Sequence, residues 1–180
     1  MKNALLAVVL LIAVFTGNAQ TQTEIKDDMP QQNEVKLNAL FMVVGAFNFT
    51  YERLITEESG VGLEVFVPFD NSIDVNYYIS PYYRLYFGKK YASGFFLEGF
   101  GMLNSENVYS YTEYNSFGSI LREERKDDTN FALGIGLGGK WIAKSGFIGE
   151  LNLGIGRNLI DTDYNNEIVG KIGITVGYRF

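Results

Sequence analysis

Three groups of residues in this sequence have types and spacings that could do chemistry. Gly134-Ile-Gly136-Leu-Gly138-Gly139 has the glycine density of a phosphate-cradling loop. Such a loop needs a helix N-terminus directly after it to hold the anion. Here Lys140, Trp141 and Ile142 continue the same two-residue alternation, so the glycines read as one face of a strand. They would leave room for Tyr78, Tyr82 and Tyr86 across an interior. Asp161-Thr-Asp163-Tyr-Asn165 repeats the one-three-five oxygen spacing of a calcium loop, but the sixth place holds Asn166 and the twelfth Ile172. Without the turning Gly and the bidentate Glu, a polar hairpin loop is the better reading. Glu52, Glu64, Glu98 and Glu150 could supply an acid/base pair. The chain has no His and no Cys. That removes the Ser-His-Asp triad, the thiol nucleophile and the imidazole or thiolate zinc site. The four carboxylates instead read as partners of Lys36, Arg84, Lys140 and Lys171. No catalytic residue, cofactor or metal ligand is predicted.

Composition narrows the class. Lys and Arg number 15 against 21 Asp and Glu, a net charge of -6. A nucleic-acid partner would want a basic face. Hydrophobic residues make up 47% and aromatics 15%, with 20 Gly and only 3 Pro among 180 residues. That balance favours many strands joined by tight turns over a helical bundle or a disordered chain.

The first residues read as an address. Lys2 precedes an unbroken apolar run from Ala4 to Phe15, and Gly17 and Ala19 place small residues before a cut at Gln20. This is the pattern of a secretory signal peptide over residues 1–19; the apolar run is too short for a spanning helix, which needs ~20 residues. Residues 20–33 are polar and read as a mobile periplasmic tail. Residues 34–180 then form one domain.

In that domain the period is two. Eight strands are predicted at Glu34–Val44, Phe47–Leu54, Gly60–Pro68, Asn76–Phe87, Gly94–Leu103, Thr129–Ile142, Gly146–Arg157 and Glu167–Phe180. One face of almost every strand is wholly apolar: Phe47, Phe49 and Tyr51; Leu133, Ile135 and Leu137; Ile172, Ile174 and Val176. The other mixes Gly, Tyr, Asn and charge. It carries too few charges for a surface in water and too many for a soluble core. An all-β fold accounts for both, an eight-stranded antiparallel up-and-down transmembrane β-barrel with lipid outside and a narrow filled lumen. Lys36, Glu52, Glu64, Arg84, Glu98, Lys140, Glu150 and Lys171 would then form a lumen charge network, four against four. Arg53 and Arg157 take the apolar phase but lie near strand ends, within reach of headgroups or water. Pro81 falls inside the fourth strand and demands a bulge or a broken ladder. Placing Glu98 inward turns Phe96 and Phe100 inward with it. Short links at Thr56–Ser59, Lys89–Ser93 and Ala143–Ser145 alternate with longer ones, so the termini belong on the periplasmic side. The longest link, 104–128, carries Tyr109, Tyr111, Tyr114, Phe117 and a charged run, and is the surface where a protein partner would bind.

The signal peptide, the eight segments and the closing Lys171-to-Phe180 strand resemble small outer-membrane barrels of the OmpA/OmpX type. In such barrels a terminal aromatic, here Phe180 with Tyr178, is similar to the signal read by the outer-membrane assembly machinery. Lys36-Leu-Asn, Asn48-Phe-Thr-Tyr-Glu-Arg53 and Ile79-Ser-Pro-Tyr-Tyr-Arg84 resemble a family of uncharacterised outer-membrane barrels found mainly in Bacteroidota. The resemblance implies location in the outer membrane, contact with its lipid, and a non-enzymatic structural or interaction role. A narrow pore for ions or small solutes is the first alternative. A lipid-modifying enzyme is the second, disfavoured by the missing His.

Overall fold

A computed structural model describes residues 31–114, 120–159 and 167–180, with the side chains of 108–126 left undescribed. The segments expected as signal peptide and tail, residues 1–33, lie almost wholly outside the described residues, and the Asp161, Asp163 and Asn165 loop lies wholly outside them. The elements are β1 (Asn33–Asn38), α1 (Ala39–Val44), β2 (Ala46–Thr56), β3 (Ser59–Pro68), β4 (Val75–Tyr86), β5 (Gly94–Tyr114), β6 (Ile120–Ile142), β7 (Phe147–Asn158) and β8 (Ile168–Arg179). Each strand is antiparallel to the next, and β8 returns to β1 with Val35 opposite Tyr178, so the sheet closes as a barrel. Closure pairs β1 with the Thr175–Arg179 end of β8 and so removes the open edge there.

The faces follow the two-residue alternation. On β2 the exposed Phe47, Phe49 and Tyr51 alternate with the buried Asn48, Thr50 and Glu52. On β6 Leu133, Ile135, Leu137 and Trp141 point outward, Ile135 with 71% of its surface exposed. The outside of the barrel is thus a continuous apolar belt. Phe87, Phe95, Trp141, Phe147, Tyr178 and Phe180 form an aromatic row toward the end that holds the short turns.

Three expectations need correction. The first strand does not run to Val44: β1 ends at Asn38 and α1 takes over. Asn38 caps the helix by accepting from the Leu40 N–H at 3.1 Å, and Gly45 ends it at φ 110°, a left-handed conformation that favours glycine. The barrel also starts at Asn33, one residue inside the presumed tail, where Asn33 and Phe180 exchange two backbone bonds. The long link is mostly strand. β5 and β6 stay paired beyond Asn104 and Asn130, out to Tyr114 opposite Ile120.

Pro81 breaks the ladder without shifting it. Ile79 pairs with Leu103 and Tyr82 with Phe100 in one register, while Ser80 and Pro81 have no partner on β5. A residue with no N–H cannot contribute a rung, and no bulge is needed. Phe96, Glu98 and Phe100 all face inward and are buried, which fixes the phase of β5.

Candidate functional site

The lumen is the one place in the described residues where charge is concentrated away from water. Two apolar layers bracket it. Toward the loop end lie Ala46, Phe66, Tyr78, Tyr82, Phe100, Met102, Ala132 and Val169. Toward the turn end lie Leu54, Tyr86, Ala92 and Phe96. Five cations and five carboxylates occupy the lumen with them: Lys36, Arg84, Lys140, Lys171 and Arg179 against Glu34, Glu52, Glu64, Glu98 and Glu150, all buried.

Alternation puts these residues inside, and the register brings them into contact. Glu34 lies opposite both Glu52 and Arg179 in the β-ladders. Two carboxylates facing each other would repel, but two lysines from other rungs sit between them. Lys140 reaches Glu34 at 2.8 Å and Glu52 at 3.3 Å. Lys36 contacts Glu34 at 3.1 Å and Glu150 at 2.9 Å, and also bonds Glu52. Glu52 is the hub, since it additionally accepts from the Tyr82 hydroxyl at 2.9 Å, from the Tyr86 hydroxyl and from Arg84 at 3.3 Å. Arg84 continues the chain to Glu98 at 2.6 Å and Glu150 at 2.8 Å. Its guanidinium lies over the rings of Tyr82 at 4.4 Å and Phe96 at 4.2 Å. Lys171 bridges Glu98 at 2.7 Å and Glu64 at 2.8 Å. Glu64 ends the chain by accepting from Asn48 at 2.7 Å and from the Tyr78 hydroxyl at 2.6 Å.

All eight residues predicted for the network are brought together. Two more, Glu34 and Arg179, belong to it as well. Both have the lumen phase, as their alternation with Val35 and Tyr178 already signals, but they sit at strand ends. Arg179 donates to Glu34 at 2.6 Å and to the backbone carbonyls of Tyr91 at 2.9 Å and Ala92 at 2.8 Å. It thereby ties the β4–β5 turn beneath the barrel.

The glycines of β6 make room for different rings than expected. A Cβ on Gly134 would lie 2.2 Å from Phe100, and one on Gly138 would lie 2.4 Å from Phe96 and 2.3 Å from the Leu151 carbonyl oxygen. Tyr82 takes the space above Gly62 instead. The strand runs on to Ile142, with no helix to receive a phosphate. The outward charges behave as strand-end groups. Arg53 donates to Asn33 and Gln32 at 2.8 Å each, and Arg157 makes an exposed pair with Glu167 at 3.4 Å. Tyr178 stacks edge-on against Phe147 at 5.5 Å, and the Phe180 ring is half-exposed at the rim.

Each of these ten charges has at least one partner of opposite sign within 3.3 Å. Chemically the network can neutralise itself, cross-link all eight strands through side chains and exclude water from the middle of the lumen. Arg84, Lys36, Phe96 and Lys140 are among the largest side chains there and are almost wholly inaccessible.

Comparison with solved structures finds a similar fold in the N-terminal β-barrel domain of Pseudomonas aeruginosa OprF, with a TM-score of 0.55 and 15% sequence identity, over 84% of this chain and 98% of that one. No curated protein matches the sequence. A family model described as "Protein of unknown function (DUF3575)" matches residues 5–172. With nearly its whole length matched, the chain belongs to the DUF3575 family.

Proposed function

We propose that the chain is an integral outer-membrane β-barrel with a structural or interaction role at the cell envelope and no enzymatic activity. The observation that carries this reading is the inverted polarity of the barrel, with an exposed apolar belt outside and ten paired charges inside. Soluble monomers rarely expose contiguous apolar patches beyond a few hundred Å², whereas in hydrocarbon a closed barrel is one of only two architectures that satisfy every backbone group. The apolar run at Ala4–Phe15 supports export by a signal peptide. The aromatic row near the turns fits a membrane–water interface. Tyr178 and Phe180, at the free end of the closing strand, are the proposed assembly signal. The β5–β6 hairpin, extending well past the level of the other strands, is the proposed surface for a protein partner.

The experiment is cell fractionation of a producing Gram-negative strain. The mature protein is expected in the outer membrane, with a different apparent mass unheated than boiled. Recovery in the soluble periplasm would sink the reading.

A further inference from the structure

The outer wall of the barrel is not uniform. Phe95, Gly139, Leu151 and Ile174 are rung partners in turn across β5, β6, β7 and β8, all in the outward phase. Gly139 adds no side chain to that row, and the wall there sinks into a groove of about 590 Å³. Its lining is almost wholly apolar and takes in all four residues with Leu137 and Trp141. The groove starts in the aromatic row at Phe95 and Trp141 and climbs to Leu153 and Ile172, near mid-height of the belt. The Trp141 indole leans over Gly139, its nearest atom 3.2 Å from where a Cβ would stand. No described residue accepts from the indole N–H.

Below the groove are the β4–β5 and β6–β7 turns. They carry Lys89, Lys90 and Lys144, all exposed. Every other lysine with a described side chain, Lys36, Lys140 and Lys171, is buried in the lumen. None of the three turn lysines makes an ion pair with a described residue. Neither turn holds an acid, and Glu57 and Glu58 lie on the β2–β3 turn, further round the rim. We propose that the groove and these two turns bind one anionic phospholipid of the leaflet on the turn side. One acyl chain lies in the groove, the Trp141 N–H donates to an ester carbonyl oxygen, and the lysines hold the phosphate. From mid-belt to rim the protein presents an apolar groove, an N–H donor and cations, and a phospholipid presents chain, ester and phosphate in the same order. An indole at this level keeps its apolar body in hydrocarbon and turns its N–H to a polar acceptor. Lysines beside the headgroups are attracted to net negative charge, which selects an anionic lipid over a zwitterionic one. This rests on the membrane reading above.

Trp141 is the one tryptophan of the chain, so its fluorescence reads this site directly. The test uses the mature protein folded into phosphatidylcholine vesicles that contain either chain-brominated phosphatidylglycerol or chain-brominated phosphatidylcholine at equal mole fraction. Bromine beside the indole quenches it. Unheated gel mobility establishes independently that each sample is an inserted barrel, so failure of the membrane reading shows there and failure of the lipid site shows in the quenching. Phosphatidylglycerol is expected to be preferred at Trp141 by roughly fivefold, what one lysine is worth beside anionic lipid. Lys89→Gln, Lys90→Gln and Lys144→Gln together should bring that preference to parity. Leu153→Phe with Ile174→Phe narrows the groove, leaves the lysines in place and should also lower it. In Trp141→Phe with Leu63→Trp the reporter moves to the outward face of β3, across the barrel from β7, and should sense both lipids equally. Equal quenching at Trp141, a preference that survives the lysine or the groove substitutions, or the same preference in the Leu63→Trp protein would overturn the proposal.

Discussion

Replacing Glu52 by Ala removes the hub of the lumen network and leaves its neighbours in place. Lys36 retains Glu34 and Glu150, Lys140 retains Glu34, and Arg84 retains Glu98 and Glu150. Two tyrosine hydroxyls lose their acceptor. Five buried cations then face four carboxylates. Breaking a buried pair by removing one partner costs about 3–5 kcal/mol, because the surviving charge is left uncompensated. The exposed Arg157–Glu167 pair sets the contrast, since removing a surface ion pair costs about 0–1 kcal/mol. A further variant, Glu52→Ala with Lys140→Met, deletes one charge of each sign. It should recover roughly 1–3 kcal/mol relative to the sum of the single changes, as expected for side chains in direct contact. The assay is urea unfolding in lipid vesicles, read by the fraction of barrel that keeps its unheated gel mobility. If Glu52→Ala costs no more than Arg157→Ala, or if the double variant is simply additive, the lumen is wet enough to screen its charges and the network does not hold the barrel together.

Gly138→Ala should destabilise by about 1–3 kcal/mol, the usual range for forced overpacking, because its Cβ would meet the Leu151 carbonyl at 2.3 Å. Gly99→Ala on the outward face, where nothing lies within 4 Å, should stay within about 0.5 kcal/mol of the parent in the same unfolding assay. Deleting Phe180 should lower the amount of barrel reaching the outer membrane while protein refolded in detergent keeps near-normal stability; unchanged outer-membrane levels would rule out the terminal signal. In planar bilayers the folded protein should give no steady conductance, since Lys36, Arg84, Phe96 and Lys140 close the middle of the lumen. Reproducible open channels at neutral pH would favour the pore alternative instead.

Much of this architecture follows from alternation alone. Eight period-two segments define two faces. The charge-bearing face must go inward because its partner face is apolar apart from strand-end groups such as Arg53 and Arg157, so Lys36, Glu52, Glu64, Arg84, Glu98, Lys140, Glu150 and Lys171 can be placed in the lumen before any contact is known. Alternation is a local property and says which side a residue takes. It does not say where a strand stops or which residue of another strand lies alongside. Ala39–Val44 is apolar on both faces, so its sequence is compatible with strand or helix. The decision falls to the cap at Asn38, whose amide completes a rung with β8, a strand more than a hundred residues away. Glu34 and Arg179 show the same limit. Their phase is visible in the sequence, but their burial depends on the β4–β5 turn folding under the barrel to offer the carbonyls of Tyr91 and Ala92. That Phe96 and Phe100 take the room above the β6 glycines, and not Tyr78, Tyr82 and Tyr86, depends on the register of adjacent strands around a closed wall. Sidedness was written in the sequence because each strand carries it alone. Register, strand ends and the identity of the ion pairs came only with closure, when every strand had to match two neighbours at once.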